Sequence, residues 1–144
     1  MPDHSAFLAR DDHLYSLSEA ECRELLGTRT FGRVGVTSGG LPVILPVRYL
    51  FDQSTITFRT GTGTKLQAAA QGDVLAFEVD AYDDDTKTGW SVLVLGRASV
   101  LTTEHEHAGV PTLDPNESGD PSNHYVRLFC ELITGRRIAP AVGA

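Results

Sequence analysis

Apolar and polar residues alternate with a period of two along most of the chain, which predicts a mainly β fold. Turn residues at positions 38–40, 52–54 and 83–87 separate the alternating segments. The predicted strands cover residues 31–36, 42–51, 55–60, 74–82, 88–102 and 132–139. We therefore expect six antiparallel strands, with few and short helices between them.

Two segments carry the capping-box pattern, in which a hydroxyl residue that begins a helix is followed three positions later by Glu or Gln. The pairs are Ser18 with Glu21 and Thr64 with Gln67. We expect a helix over residues 18–26 and a second helix that begins at Thr64 and stops at Gly72. A further helical turn is predicted over residues 124–129.

The predicted strand 88–102 is apolar on both of its faces. One face carries Trp90, Val92, Val94, Ala98 and Val100, and the other carries Leu93, Leu95 and Leu101. In a small antiparallel β-barrel one face of a strand fills the interior, so the opposite face needs a helix or a second subunit to cover it. We therefore expect a homodimer.

The length of 144 residues fits a single domain. We expect this domain to span residues 14–140, with tails at 1–13 and 141–144. Residues 104–123 are rich in Pro, Gly, Asp and Glu and are expected to form a variable loop. No apolar run approaches the roughly 20 residues that cross a bilayer, and residues 1–12 lack the apolar centre of a secretory signal. We expect a cytoplasmic protein with no membrane partner.

Charge and cysteine content argue against several classes of partner. The chain has 12 Lys and Arg against 19 Asp and Glu, a formal net charge of −7. Such a surface repels phosphate backbones, so nucleic acid is not an expected partner. Cys22 and Cys130 lie far apart without a CxxC motif, so the sequence indicates neither a zinc site nor a disulfide. Both cysteines are expected to pack as small apolar side chains.

The segment Arg59-Thr60-Gly61-Thr62-Gly63-Thr64-Lys65 joins the end of a predicted strand to the start of a helix. It matches neither the Walker loop nor the dinucleotide-binding fingerprint. Lys65 would lie in the first helical turn, where the helix dipole disfavours a cation by about 0.3–1 kcal/mol, and Arg59 adds a second positive charge. A bound anion would reverse that penalty, and amides, Thr hydroxyls and flexible glycines are suitable phosphate ligands. A loop without a ligand, whose two cations extend into solvent, remains the alternative.

A proline interrupts the interior of the predicted strand 42–51, in the stretch Leu45-Pro46-Val47-Arg48. Proline removes a donor from the ladder, so this strand must lie at an edge, at a bulge, or against something other than a strand. A flat ligand could occupy that gap, and an ordinary edge strand explains the proline equally well.

The order of these segments resembles the pyridoxamine 5'-phosphate oxidase-like family of flavin-binding split β-barrels. The resemblance covers about residues 14–140 and depends on an ordered set of segments rather than on one motif. These are Leu17-Ser18, Phe31-Gly32-Arg33-Val34, residues 42–49, residues 58–65, residues 88–98 and the closing residues 135–140. It implies a six-stranded split barrel that binds flavin mononucleotide (FMN) between the two subunits of a homodimer.

The resemblance also implies roles for individual residues. Arg59, Thr60, Thr64 and Lys65 would bind the FMN phosphate. Leu45, Pro46, Val47 and Arg48 would line the isoalloxazine ring, and Trp90 and Ser91 would reach the flavin from the partner subunit. Trp90 could equally anchor a dimer interface without touching a cofactor. No residue is assigned as a general acid or base.

As a function, the resemblance implies an FMN-dependent oxidoreductase in which NADH or NADPH delivers a hydride to the flavin and an acceptor takes the electrons. The second basic set, which holds the substrate phosphate in true pyridoxamine 5'-phosphate oxidases, has no match in residues 104–123. Two alternatives stay open: a flavin carrier or sensor without turnover, and a deazaflavin-dependent reductase. No His follows His124, which disfavours the haem binding of some relatives.

The remaining polar clusters favour structural explanations. His105 and His107 have no third metal ligand at a suitable spacing, which favours a solvated loop over a metal site. The acidic run at 83–85 lacks the Gly and the terminal Glu of a calcium loop. Arg136 and Arg137 either pair with acidic residues or contact a cofactor. No GxSxG motif supports hydrolysis.

Overall fold

A computed structural model describes residues 12–61, 63–101 and 124–140, which form eight strands and two helices. The strands are β1 (Asp12–Ser16), β2 (Phe31–Ser38), β3 (Leu41–Asp52), β4 (Thr55–Thr60), β5 (Val74–Asp83), β6 (Thr88–Leu101), β7 (His124–Phe129) and β8 (Leu132–Pro140). The helices are α1 (Glu19–Leu26) and α2 (Thr64–Ala70). The prediction of a mainly β, antiparallel fold with short helices is confirmed. Within the described ranges, neither helix has the length and apolar character that crossing a bilayer requires.

All neighbouring strands are antiparallel, in the order β1-β8-β6-β5-β2-β3-β4-β7. β7 also pairs with β6, so hydrogen-bonded neighbours follow one another in a ring through β6, β5, β2, β3, β4 and β7. β8 and β1 extend the sheet from the first half of β6. The long strand β6 therefore belongs to both parts of the sheet.

The structure contains two strands more than the six that were predicted. The helical turn expected at residues 124–129 is wrong, because this segment is strand β7, paired with both β4 and β6. Val126 and Leu128 are fully buried between less buried neighbours, the two-residue period of a strand. The segment is too short for this period to distinguish a strand from a helix in the sequence alone. β1 starts at Asp12, inside the segment expected to be a tail, and pairs with β8.

Helix α1 begins with the predicted capping box. The Glu21 amide donates to the Ser18 hydroxyl at 3.1 Å, and the Ser18 amide donates to the Glu21 carboxylate at 3.4 Å. The helix ends at Leu26, as expected, and the Gly27 amide donates to the last-turn carbonyls. Cys22 is buried in the core against β8, where Gly135 leaves room for its sulfur. The expectation of a packed Cys22 is thus confirmed, and Cys130 is partly buried and also unpaired.

Helix α2 differs from its prediction at the start and agrees with it at the end. The predicted Thr64 cap is wrong, because the N-cap is Gly63, with φ of 140°, and no side chain caps the helix. Thr64 is instead the first helical residue. At the other end Gly72 is left-handed, with φ of 71°, and its amide donates to the Ala69 carbonyl. The Asp73 amide donates to the Ala68 carbonyl, which completes a Schellman motif.

The predicted hairpin turns are also present. Gly39 and Gly40 both have positive φ, 58° and 81°, and form the two-residue loop between the paired residues Ser38 and Leu41. Two successive positive φ values define the type I′ turn that matches the twist of a hairpin. The next hairpin has Gln53 at φ of 43° between β3 and β4. These local signals fix the register of β2, β3 and β4.

The core lies between the inner sides of the strands and the two helices. Tyr49 connects β3 to α1, because its hydroxyl donates to the Leu26 carbonyl at 2.6 Å. Its ring meets Phe77 edge-on, with centroids 4.7 Å apart. Burial raises the pKa of Tyr49 to about 12, so the phenol keeps its proton at neutral pH.

Strand β6 has the two-sided apolar character that the sequence predicts. Val92, Val94 and Ala98 are buried in the core, and Trp90 packs at its margin. On the opposite face Leu93 remains 40% exposed. Leu95 on the same face is half-buried and Leu101 is buried, so within the described residues this face is covered at its end and stays open around Leu93.

Gly96 marks the point where β6 changes its partner from β8 to β7. Leu95 is the last residue paired with β8, and Ala98 is the first paired with β7. The chain passes between those strands at Phe129, whose carbonyl oxygen lies 1.6 Å from the position that a Cβ on Gly96 would take. Only glycine allows this close crossing of two backbones.

We predict that Gly96→Ala destabilises the fold by about 1–3 kcal/mol or more, because the added methyl displaces the backbone of Phe129 rather than a flexible side chain. Urea unfolding followed by circular dichroism measures the loss. The control is Gly27→Ala, where the new Cβ has only ordinary contacts, the nearest at 3.5 Å. Equal stability of the two variants would contradict the assigned role of Gly96.

Candidate functional site

Strands β3 and β4 diverge in the middle of β3. Residues 49–52 of β3 pair with β4, and the last pair is Tyr49 with Phe58. Residues 41–48 of β3 pair with β2 instead. β4 pairs with β7 along its whole length on the opposite edge, so beyond Phe58 its residues Arg59 and Thr60 have β7 but not β3 as a neighbour. The sheet therefore splits between Arg48 and Arg59.

Pro46 lies on the open side of this split, opposite Arg33 of β2. No strand in the described ranges pairs with the other edge of residues 41–48, which agrees with the edge position, one of the three alternatives that the proline left open. Leu45 and Val47 point towards the core, whereas Pro46 and Arg48 are exposed. The split thus presents a length of strand edge that no other described strand covers.

The loop after β4 carries the cationic site at the same split. Arg59 is half-buried and Thr60 is buried. Gly63 has φ of 140°, a backbone conformation that favours glycine. Thr62 lies outside the described residues. This loop leads directly into Thr64 and Lys65 of α2.

Lys65 is a cation held partly out of water, with no counter-charge among the described residues. Its side chain is half-buried, and this burial lowers the pKa of its ammonium group. Among the residues that the structure describes, no carboxylate lies within ion-pair distance of it. A partly desolvated cation is stabilised by a bound anion more than a fully solvated one, because the local dielectric constant is lower.

The sequence analysis assigned three groups of residues to the flavin: residues 45–48, residues 59–65, and Trp90 with Ser91. The structure brings the first two groups together. The strand edge at residues 45–48 and the loop at 59–65 begin at the same Tyr49–Phe58 pair. Trp90 and Ser91 lie elsewhere on β6. The Ala98 amide donates to the Asp73 carbonyl just after α2, and Trp90 is eight residues away, about 26 Å along the strand. Trp90 and Ser91 therefore lie far along β6 from the contact between Ala98 and the end of α2.

Trp90 has a local partner of its own. The Arg29 guanidinium lies 5.8 Å from the centre of its ring, a cation–π contact. Arg29 belongs to the connection between α1 and β2, so the contact orients the indole at the end of β6 where β8 also pairs. The indole is half-buried and keeps one part exposed.

The remaining candidates have structural partners. The Asp83 carboxylate accepts hydrogen bonds from the amides of Asp85 and Thr86, so it stabilises the turn between β5 and β6. Arg136 donates to the Ser16 hydroxyl at 2.7 Å. Arg137 pairs with Glu21 at 3.6 Å, as the acidic-partner alternative expected. His105 and His107 lie outside the described residues.

The sequence analysis did not predict one cluster of charged side chains on the sheet. Arg33, Glu78 and Asp80 lie together on the outer side of β2 and β5, where Arg33 reaches Glu78 at 3.3 Å and Asp80 at 3.6 Å. Glu78 and Asp80 alternate with the buried Phe77 and Val79, and this alternation shows that they face outwards. The partnership with Arg33 depends on strand pairing across 45 residues, which no local pattern reveals.

Comparison with known proteins assigns the family. The family model for pyridoxamine 5'-phosphate oxidase matches residues 18–137. An uncharacterised protein of Mycobacterium tuberculosis is 32% identical over 127 residues, which is 85% of this chain and 84% of that protein.

Solved structures give the same result. A FAD-binding protein of Mycobacterium smegmatis is 33% identical with a TM-score of 0.65, covering 87% of this chain and 98% of that one. A provisionally assigned pyridoxamine 5'-phosphate oxidase of Corynebacterium glutamicum is 30% identical with a TM-score of 0.72, covering 88% and 99%. The strand split, the basic loop beside it and the match over most of the chain agree: the chain belongs to the pyridoxamine 5'-phosphate oxidase family.

Proposed function

We propose that this protein is a homodimeric, FMN-dependent oxidoreductase that holds its flavin at the split between β3 and β4. The observation that carries the proposal is Lys65, a half-buried cation without a carboxylate partner in the described residues, next to an open strand edge. A phosphate ester supplies the missing negative charge, and a flat ring system suits the open edge.

The residues present fit a flavin phosphate. Lys65 and Arg59 supply two positive charges, and Thr60 and Thr64 supply hydroxyl donors from the same loop. The similar structure from Mycobacterium smegmatis is named as a FAD-binding protein, which supports a flavin as the ligand here. FAD and FMN share the phosphate attached to riboflavin, so the same loop would bind that group in either cofactor.

The ring would lie along residues 45–48 of β3. Pro46 has no amide hydrogen and exposes its apolar ring, while the other residues of the stretch keep backbone donors and acceptors at the edge. This combination provides an apolar support with a few polar groups that fix orientation, the usual composition of a cofactor site. Deazaflavin, which has the same flat shape, remains the alternative ligand.

The position of Trp90 along β6 supports a dimeric site. In one subunit about 26 Å of β6 separates Trp90 from the end of α2. A second subunit would allow Trp90 and Ser91 of one chain to approach the flavin bound by the other. In that arrangement the Arg29 contact holds the indole in place before the flavin arrives, which reduces the entropy lost on binding.

A bound flavin would supply the redox chemistry, accepting a hydride from a donor such as NADH or NADPH and passing electrons to an acceptor. The chain's own residues position and shield it. Lys65 and Arg59 hold the phosphate, the β3 edge orients the ring, and Trp90 limits access of solvent and substrate.

We predict that Lys65→Gln weakens FMN binding by about 1.5–3 kcal/mol, because one charge-assisted contact to the phosphate is lost. This corresponds to roughly a 10- to 150-fold rise in Kd. Riboflavin, which lacks the phosphate, should bind the variant and the parent protein equally. Flavin fluorescence titration measures both ligands, and FAD titrated in parallel shows which nucleotide is preferred.

The matched control is Lys87→Gly, which removes a cation from the turn before β6. Lys87 has φ of 60°, so glycine fits this backbone without strain. FMN affinity should not change in this variant. If Lys65→Gln lowers the affinities for FMN and riboflavin equally, Lys65 does not bind the phosphate.

We further predict that NADH or NADPH reduces the FMN bound to this protein within the time of a stopped-flow measurement. Loss of the oxidised flavin absorbance is the readout, and free FMN at the same concentration is the control. Flavin that stays bound and oxidised with both donors would favour a carrier or sensor without turnover.

A further inference from the structure

A cavity on the outer side of β3, β2, β5 and β6 is not used by the proposed flavin site. Its volume is about 330 Å³, at the lower end of the range of small-molecule sites, about 300–1,000 Å³. Ile44 and Leu93 form apolar walls. Gly35 and Ala76 are paired across β2 and β5, and their small size leaves a flat floor between the walls. The shape therefore suits a planar, apolar group.

This cavity lies beside the strand edge to which we assign the flavin ring. Arg33, which lines the cavity, is paired directly with Pro46, so the two residues are one interstrand spacing apart, about 4.8 Å. Ile44 lies two residues before Pro46 on the same face of β3, about 7 Å along the strand. A molecule in the cavity therefore borders a ring that lies on Pro46.

The charged side of the cavity presents a hydrogen-bond donor and an acceptor next to each other. Arg33 and Glu78 are paired across β2 and β5. Arg33 reaches Glu78 at 3.3 Å and Asp80 at 3.6 Å, in both cases through Nη1. A guanidinium has five N–H groups and a carboxylate accepts at both oxygens, so each can make a further hydrogen bond. A primary carboxamide has the matching pair, because its carbonyl accepts and its NH₂ group donates.

The cavity also holds one carboxyl group more than the guanidinium neutralises. Burial, followed by the hydrogen bond and the charge of Asp80, raises the pKa of Glu78 to about 7, against the opposing effect of Arg33. With Glu78 ionised, as it is at pH 8, the three side chains carry one net negative charge. A positive charge that develops on a ligand in the cavity is therefore stabilised.

We propose that this cavity binds the nicotinamide ring of the hydride donor, with its carboxamide held by Arg33 and Glu78. The proposal rests on the proposed function, and it adds the donor's site and the residues that recognise it. The planar ring suits the flat floor between the apolar walls. When the C–H bond of the dihydronicotinamide breaks, both electrons pass with the hydrogen to the flavin and the donor ring becomes a cation. The surplus carboxylate stabilises that charge as it develops.

The test compares two oxidised dinucleotides that differ in one group. Isothermal titration calorimetry of the FMN-loaded protein at pH 8 gives Kd for NAD⁺ and for its acetylpyridine analogue, in which a methyl group replaces the NH₂ of the carboxamide. Neither ligand can reduce the flavin, so binding alone is measured. We expect about 10-fold tighter binding of NAD⁺, because only its carboxamide donates to Glu78. NADP⁺ and its acetylpyridine analogue are titrated in the same way.

Three variants assign the contacts. Glu78→Met removes the acceptor, so it should bind the carboxamide and the acetyl ligand equally. Arg33→Met should weaken both ligands by about 10-fold, because both keep the carbonyl to which the guanidinium donates. Glu24→Met, on the exposed side of α1, is the matched control and should keep the preference of the parent.

A further variant locates the cavity. Ala76 is half-buried on the floor, and an aromatic residue suits a strand, so Ala76→Phe should stay folded by circular dichroism and weaken both ligands by at least about 10-fold. A folded Ala76→Phe variant with the affinity of the parent overturns the site.

The remaining outcomes separate this proposal from the proposed function. Equal affinity of the parent for the two ligands, a preference that survives in Glu78→Met, or no binding of any of these dinucleotides overturns the nicotinamide site. Reduction of FMN by NADH or NADPH without that preference overturns the site and leaves the proposed function standing. If FMN itself does not bind, the proposed function fails, and the same titrations of the flavin-free protein still decide whether the cavity holds the carboxamide.

Discussion

The structure depends on the separation of β3 from β4 after the Tyr49–Phe58 pair. A sheet that stayed paired there would bury residues 45–48 in a ladder and leave no edge for a ligand. Pro46 cannot donate to a ladder, which favours this separation, while β4 keeps its pairing with β7 along its opposite edge over Thr55–Thr60. The same point of the fold delivers the loop that carries Lys65 in partial burial. One topological feature thus creates both the opening and the charge beside it.

The second consequence concerns the outside of the sheet. Strand β6 is apolar on both faces, and among the described residues its outer face stays open around Leu93. The exposed side holds small residues at its centre and charges of both signs at its edge, a composition suited to a planar ligand with a polar group. In the proposed homodimer, Trp90 of one subunit would reach the flavin that the other subunit binds. The flavin site and the subunit contact are then parts of one arrangement.

Local patterns in the sequence predict those parts of this fold that local energetics decide. The Ser18 capping box and the Gly39-Gly40 turn are each determined by interactions within a few residues, so both could be predicted from the sequence. The strand β7 and the crossing at Gly96 depend on partners far along the chain, and no short window contains that information. The basic loop was identifiable from its composition, but the partial burial of Lys65 depends on how β4 and α2 meet. The group around Glu78 was missed because strand pairing, not spacing, creates it.

The most direct measurement is a crystal structure of the protein grown with FMN. We predict phosphate oxygens within about 2.7–3.2 Å of the Lys65 ammonium and the ring along residues 45–48 of β3. A bound FMN whose phosphate lies away from Lys65, or whose ring lies off the β3 edge, would contradict the claim that the split in the sheet is the cofactor site.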